Sequence, residues 1–253
     1  MSTATVGSTI HREPELLGQT VIIIGGSSGI GLETARRAHV EGAKVILTGR
    51  DAERLRRAAS EFEAVSTSAF DATDTVSLER FFRELPAAVD HVMVTAGGPH
   101  YGRLLDTDIE QERRDFAEHP MLMLQVARSA VHKMRAGGML VFMGGTGGRR
   151  PSIGLGTFPA VTAALPALTA SLALELAPVR VNLIAAGFVD TPLSASILGD
   201  ELENRRKQLR ATLPIRRVVG PADVAALAVH IMINTALTVA TYDVDGGEQF
   251  VAA

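Results

Sequence analysis

The chain has 253 residues with 25 basic and 28 acidic side chains, a formal net charge of −3. That length suits one large α/β domain with ample core, and that balance excludes a basic nucleic-acid-binding stripe. Cysteine is absent, which excludes disulfides and thiolate chemistry and permits a reducing compartment, and the seven histidines (His11, His39, His91, His100, His119, His132, His230) show no paired metal-ligand spacing, so no metal is expected.

In chain order, residues 1–15 are polar and lack the apolar core of a signal peptide; they read as a flexible tail ahead of a single domain over 16–253. Residues 21 to 31 read Val-Ile-Ile-Ile-Gly-Gly-Ser-Ser-Gly-Ile-Gly, and residues 32–38 follow with helix-forming composition. Strand, turn and helix in that order suit a dinucleotide. Gly25, Gly29 and Gly31 let the backbone turn tightly and approach a diphosphate, and the helix N-terminus presents free N–H groups and a positive dipole end. On this run alone, a tight turn with no ligand stays open.

Short β-branched runs predict strands over 20–24, 44–47, 64–69, 91–94, 139–143, 180–185 and 241–244. Helical patterns lie between them, near 29–41, 51–62, 75–85, 109–135, 157–177 and 221–234. Asp51 is placed to cap the second helix, which carries Leu55, Ala58, Ala59 and Phe62 on one face, and Pro221 stands where the last helix begins. Strict alternation demands a seven-stranded, doubly wound parallel sheet with helices on both faces. Pro120 predicts a kink or break just after His119. The longest apolar stretch, 225–242, is interrupted by His230 and Asn234 and reads as helix plus strand, so no membrane span and a cytoplasmic location are expected.

The second strand ends in Thr48-Gly49-Arg50-Asp51. In a dinucleotide fold this point faces the adenosine ribose, where an acidic residue would accept from the hydroxyls and repel a 2′-phosphate. Arg50 can grip that phosphate instead, with Asp51 assigned to the helix cap, so NADP(H) is expected over NAD(H); the competing reading is a solvated surface charge.

Further motifs follow in order: Asp71-Ala72-Thr73-Asp74, Thr95-Ala96-Gly97, Glu175-Leu176-Ala177-Pro178 with Arg180-Val181-Asn182, Ala186-Gly187-Phe188-Val189-Asp190-Thr191-Pro192, and Val244-Asp245-Gly246-Gly247. With the glycine motif they resemble the short-chain dehydrogenase/reductase family over residues 20 to 250, with Ile24 where threonine usually stands, Thr95 for asparagine and Ala186 for proline. The resemblance implies a Rossmann-type fold. It also implies coenzyme contacts at Gly25, Ser27, Ser28, Gly29, Ile30, Gly31, Arg50, Asp71, Ala72, Thr95, Ala96, Gly97, Thr162, Gly187, Val189 and Thr191. It further implies a homodimer or homotetramer around helices 109–135 and 157–177, where Ala160, Ala163, Ala164, Ala167 and Ala170 allow close helix approach, between chains or within one.

The same resemblance departs where the chemistry should be. Counting back from Glu175 places the family's tyrosine on Phe158, its lysine on Thr162, its serine on Gly145 and its asparagine on His119. All four are therefore expected to be replaced. Phe158 cannot donate a proton, and Thr162 offers a hydroxyl without charge. His119 is the first substitute donor, against a packing role. His100 and Tyr101, after the turn at Thr95 to Pro99, are next, and Thr146 is weaker. Arg149 and Arg150 are read either as an anion site or as a solvated pair. Residues 192–214, carrying Glu201, Glu203, Arg205, Arg206, Lys207 and Arg210, read as a mobile substrate lid whose charges mostly face water.

Three functions follow. The preferred one is an NADP(H)-dependent oxidoreductase moving a hydride between carbonyl and alcohol of a small-molecule substrate, with a non-standard active site. The second is a non-catalytic NADP(H)-binding sensor or regulatory or structural subunit. The third is a different reaction on the same scaffold.

Overall fold

In the computed structural model, which describes residues 13–62 and 66–251, the alternation of side chains along each strand feeds two cores. On β1 (Thr20–Ile24), Ile22 and Ile24 face one layer while Val21 and Ile23 face the other. All four are fully buried, the pattern of a parallel sheet covered on both faces. The first layer holds α3 (Thr75–Glu84), α4 (Ile109–Ala130) and α5 (Phe158–Glu175) through Leu78, Phe82, Val126 and Leu165. The second holds α1 (Gly29–Val40), α2 (Ala52–Ser60) and α8 (Pro221–Ile233) through Ala35, Leu55 and Ala228.

The remaining strands are β2 (Lys44–Gly49), β3 (Ser66–Ala69), β4 (Val89–Val94), β5 (Met134–Gly145), β6 (Arg180–Ala186) and β7 (Thr241–Val244). All pair in parallel in the order β3-β2-β1-β4-β5-β6-β7. The order reverses direction between β1 and β4, and a crevice opens there beyond the carboxyl ends of the strands, where open α/β sheets take their ligands. The expected seven-stranded, doubly wound sheet is therefore present. Most of the expected tail, and the first two residues of the strand expected over 64–69, lie outside the described residues.

Local signals hold at the helix ends. Asp51 accepts from the backbone N–H groups of Glu53 (2.9 Å) and Arg54 (3.0 Å). Asp223, in the first turn of α8, accepts from Gly220 N at 2.9 Å. Pro120 does not break its helix: α4 runs unbroken from Ile109 to Ala130. One proline removes one donor, while Leu122, Met123, Val126, Ala127 and Ala130 bury the following turns and keep them helical. Residues 131–135, expected as helix, form a 3-10 turn and the start of β5. Among the described residues α5 alone has the length and apolarity to cross a bilayer; its inner face packs on the sheet through Val161, Leu165 and Leu172.

The Arg180 and Asn182 pair explains itself in packing. The buried Arg180 guanidinium donates to five carbonyls: Gly137 (3.0 Å), Ile231 (3.0 Å), Asn234 (3.0 Å), Leu237 (3.1 Å) and Met232 (2.9 Å). It thus closes the C-terminus of α8 with a cation, where unpaired carbonyls and the negative dipole end favour one. Asn182 donates to Leu237 O (3.0 Å) and accepts from Ala240 N (3.1 Å), which fixes the entry to β7. Replacing Arg180 with Met leaves several of those carbonyls without partners; we expect a loss of about 3 kcal/mol or more, read as a lower urea midpoint with an unchanged slope.

His91 lies inside the sheet. Its Nε2 donates to Gln19 Oε1 at 2.6 Å and its Nδ1 has no partner. Burial, and secondarily the Arg180 charge, push its pKa from 6.5 to about 3. Between those values the unfolded chain binds a proton that the folded chain refuses, so stability falls as pH drops below 6.5. The expected contribution is roughly 1.4 kcal/mol per pH unit, measured as the difference in acid-limb slope between wild type and His91→Gln in chemical denaturation.

Candidate functional site

The turn between β1 and α1 is built against the end of β4. Thr95 N and Ala96 N both donate to Ile24 O, at 2.8 and 3.0 Å. The Thr95 hydroxyl lies 3.2 Å from Ile24 O and 3.0 Å from Gly25 O. A Cβ on Gly25 would sit 2.6 Å from Ala96 N, and one on Gly31 would meet the Gly25 carbonyl and the Thr95 hydroxyl. Only glycine fits at either place. Gly25 also needs its φ of +97°. Thr95 thus braces the turn from its own side chain.

No side chain caps α1, and its first turn holds no acidic residue. The first intrahelical bond runs from Leu32 N to Ser28 O (3.2 Å), which leaves the N–H groups of Gly29, Ile30 and Gly31 available to an anion. Gly29 lies below Thr191, whose Cβ is 3.5 Å from a methyl built there. The Thr191 hydroxyl caps α6 (Pro192–Leu198) by accepting from Ser194 N at 3.2 Å. The geometry suits a diphosphate: a cradle that side chains would fill, under a free helix end.

At the end of β2, Arg50 is exposed and close enough to Asp71 to help lower its pKa; the larger causes there are the hydrogen bonds from Thr73 N and its hydroxyl, at 2.9 and 2.8 Å. Asp71 Oδ1 is therefore occupied within its own turn, beside the buried Ala72. Arg54, one helical turn on from Arg50, reaches the Ser28 hydroxyl at 3.4 Å. Together with Ser27 and Arg57 it lines a cleft of about 190 Å³. Sequence reasoning missed Arg54; its spacing of four from Arg50 across the Asp51 cap was the available signal.

The wall above β5 comes together as the spacing implied. A Cβ on Gly145 would lie 3.0 Å from the Phe158 ring and 3.3 Å from Thr162 Cγ2, and one on Gly147 would lie 3.1 Å from the same ring. Phe158 has settled over the glycines. The Thr162 hydroxyl lies 3.0 Å from Phe158 O and 3.1 Å from Pro159 O and donates within its own helix, so only its lone pairs can meet a ligand. His119 Nε2 is 2.7 Å from Met143 O. A carbonyl only accepts, so Nε2 carries the hydrogen. Burial lowers the His119 pKa, an effect the Met143 bond opposes. The ring is thus neutral, with Nδ1 facing Gly97 (3.7 Å from a methyl built there) as an acceptor. In this tautomer the donor role expected of His119 has no free proton behind it.

Other candidates are placed differently from expectation. His100 is held between Asp115 (3.6 Å) and Glu118 (3.8 Å) of α4, a grouping drawn from separate elements that no sequence spacing signalled. Arg149 pairs with Asp243 while its side chain stays 47% exposed, and Arg150 donates to Glu248 O at 2.7 Å, so both guanidiniums already have partners. The segment after β6 forms α6 and α7 (Leu202–Thr212). Its charges do not all face water. Arg206 grips Asp190 at 2.9 and 2.8 Å, and Arg205 pairs with Glu248, whose other carboxylate oxygen accepts from Phe188 N at 2.8 Å. Leu209 and Leu213 are buried beneath. Gly187 lies against Asp245 and Glu248, where a Cβ would be 2.7 Å from Asp245 Cβ, and Val189 is buried and bridged to Val219.

Residues 25–249 match the family described as enoyl-(acyl carrier protein) reductase. A short-chain dehydrogenase/reductase, ATR9, of Stachybotrys chlorohalonatus is 29% identical over 92% of this chain and 98% of its own length. Among solved structures, an actinorhodin polyketide ketoreductase variant with NADPH superposes with a TM-score of 0.84 at 26% identity, covering 92% of this chain and 98% of the other. BdcA in complex with NADPH gives 0.81 at 27% identity, covering 92% and 95%.

The Phe158 packing gives a direct test. Gly145→Ala must displace the ring, and we expect it to cost about 1–3 kcal/mol. Combined with Phe158→Ala the added methyl should be nearly free, so a double-mutant cycle by thermal or urea unfolding should show a coupling of at least ~0.5 kcal/mol.

Proposed function

The chain belongs to the short-chain dehydrogenase/reductase family, and from that membership we propose that it is an NADP(H)-dependent oxidoreductase with a non-standard active site, reducing a carbonyl or oxidising an alcohol of a small molecule. The observation that carries the coenzyme assignment is the pair Arg50 and Arg54 beside an Asp51 whose carboxylate is engaged as a helix cap. Two guanidiniums and the Ser28 hydroxyl suit a 2′-phosphate, and among the described residues the acid lining the cleft, Glu61, is paired with Arg36. The NADPH complexes among the similar structures support the same choice.

When bound, the coenzyme supplies or takes up a hydride at its nicotinamide ring. The chain's own residues do the rest. The cradle at Gly25, Ser27, Ser28, Gly29, Ile30 and Gly31 meets the diphosphate, with Thr95, Ala96 and Gly97 bracing the turn. Asp71 and Ala72 border the adenine. Gly187, Val189 and Thr191 border the nicotinamide end, and Thr162 offers lone pairs to a ribose hydroxyl. Segment 192–214 closes over the substrate. Gly145, Phe158, Thr162 and His119 stand in for the family's serine, tyrosine, lysine and asparagine. General acid catalysis contributes about 10²–10⁴-fold, so a wall of this kind slows carbonyl chemistry without abolishing it.

A second reading has its own support. Phe158 fills the space over Gly145 and Gly147, and the Thr162 and His119 donors are both engaged. That arrangement suits a coenzyme-binding sensor or regulatory subunit that does no chemistry. In either reading a homodimer or homotetramer is proposed, supported by the outer face of α5, where Ala160, Ala163, Ala164 and Ala167 are exposed and Leu174 is 77% exposed. A cytoplasmic location belongs to the same proposal.

Calorimetry should show NADPH binding more tightly than NADH. Arg50→Ala and Arg54→Ala should each weaken NADPH by roughly 10–100-fold and leave NADH unchanged. NADPH consumption against ketones, aldehydes and activated alkenes separates the two readings: turnover supports the oxidoreductase, whereas tight binding with no turnover across the panel supports the sensor.

A further inference from the structure

Tyr101 occupies a place that the coenzyme site does not explain. It stands just past the turn at Thr95–Gly97, and its ring meets Phe158 edge to face, centroids 5.5 Å apart at 82°. Phe158 in turn covers Gly145 and Gly147. Tyr101 is therefore one ring farther out from β5, over the same wall. Its backbone is held there, because Gly102 forms a parallel bridge with Leu155 and ties the loop after β4 to the loop after β5. The charges that reach its phenol are Glu248, from the C-terminal turn, and Arg205, from α7. The two loops thus hold Tyr101 in place, and its phenol is within electrostatic reach of α7 and the C-terminal turn.

Three other candidate donors of this region already have partners. His119 Nε2–H is on Met143 O, the Thr162 hydroxyl is on its own helix, and His100 sits between two carboxylates of α4. We propose that Tyr101 is the catalytic proton donor of this enzyme, a phenol delivered from the loop after β4 to the substrate carbonyl. The inference rests on the hydride-transfer reading above. In the reducing direction the carbonyl carbon receives the hydride pair from the reduced coenzyme, and the C=O π pair moves to oxygen. That oxygen takes the phenolic proton as the Tyr101 O–H bond breaks. The phenolate regains a proton from water, which reaches it because the residue is 48% exposed. Partial desolvation of this half-exposed phenol first, and Glu248 second, raise its pKa, while Arg205 acts the other way. A donor with its proton in place through neutral pH and a cation beside its conjugate base is suited to this step.

Two measurements test the assignment. The chain has two tyrosines, Tyr101 and Tyr242, so tyrosinate absorbance in wild type minus Tyr101→Phe isolates one phenol. NADP⁺ carries a positive nicotinamide ring. If Tyr101 stands over it, saturating NADP⁺ should lower the Tyr101 titration midpoint by roughly 0.5–2 pH units, and NADPH should not. In turnover, Tyr101→Phe keeps the ring on Phe158 and should lower kcat for ketone reduction by about 10²–10⁴-fold, with an unchanged calorimetric Kd for NADPH. A midpoint indifferent to NADP⁺, or a variant as fast as an active wild type, overturns the assignment of Tyr101 and leaves the oxidoreductase standing. A wild type that binds NADPH yet reduces nothing overturns both.

Discussion

The constraint on which the rest depends is the contact between the first turn and the end of β4. The main chain at Gly25 and Gly31 passes so close to Thr95 and Ala96 that a methyl group has no room at either glycine. This closeness sets the separation of β1 and β4 at the point where the sheet reverses its winding. It also fixes where the free N–H groups of α1 point. The brace is polar and local: one threonine hydroxyl reaches two carbonyls in succession. A side-chain amide is not needed for that geometry, which is why the departure from asparagine at Thr95 leaves the turn intact.

Much of this was legible in the sequence because it depends on local rules. The period of two in β1 and the glycine spacing each write themselves into consecutive residues, and the Asp51 cap and Pro221 do the same at helix ends. What escaped depends on distant partners. Arg149 and Arg150 read as free cations, yet Asp243 and Glu248 meet them from the far end of the chain. Arg205 and Arg206 likewise meet partners far along the chain or in the turn after β6, Glu248 and Asp190. The Arg180-Val181-Asn182 run was visible as a motif, but its reason, a guanidinium closing α8, exists only after the chain has folded. Pro120 misled in the opposite direction: a local rule predicted a break, and the burial of the following turns outweighed it.

The two halves of the crevice differ in kind. At the coenzyme end, the Thr95 hydroxyl holds the turn through main-chain carbonyls. At the β5 end the side chains have closed in. Phe158 lies on glycines that a serine side chain would have kept at a distance, and Thr162 has turned its proton back to its own helix. These changes fit one another. A serine introduced at position 145 meets the ring, and a tyrosine introduced at 158 has Thr162, not a cation, one turn away. The Phe158 ring covers the wall, and the hydrogens of Thr162 and His119 are turned into the fold.

That consistency bears on where a proton can come from. An apolar wall raises the cost of an unsolvated oxyanion, so a donor must come from the rim. The rim carries charge, but in paired form: Glu248 is held by Arg205 and by Phe188 N, and its own carbonyl by Arg150. Such a latch binds α7 to the C-terminal turn. A neutral phenol at the same rim escapes this limit. It can face the apolar wall with its ring and the paired charges with its hydroxyl. A change in the Arg205–Glu248 pairing would then alter the phenol's acidity.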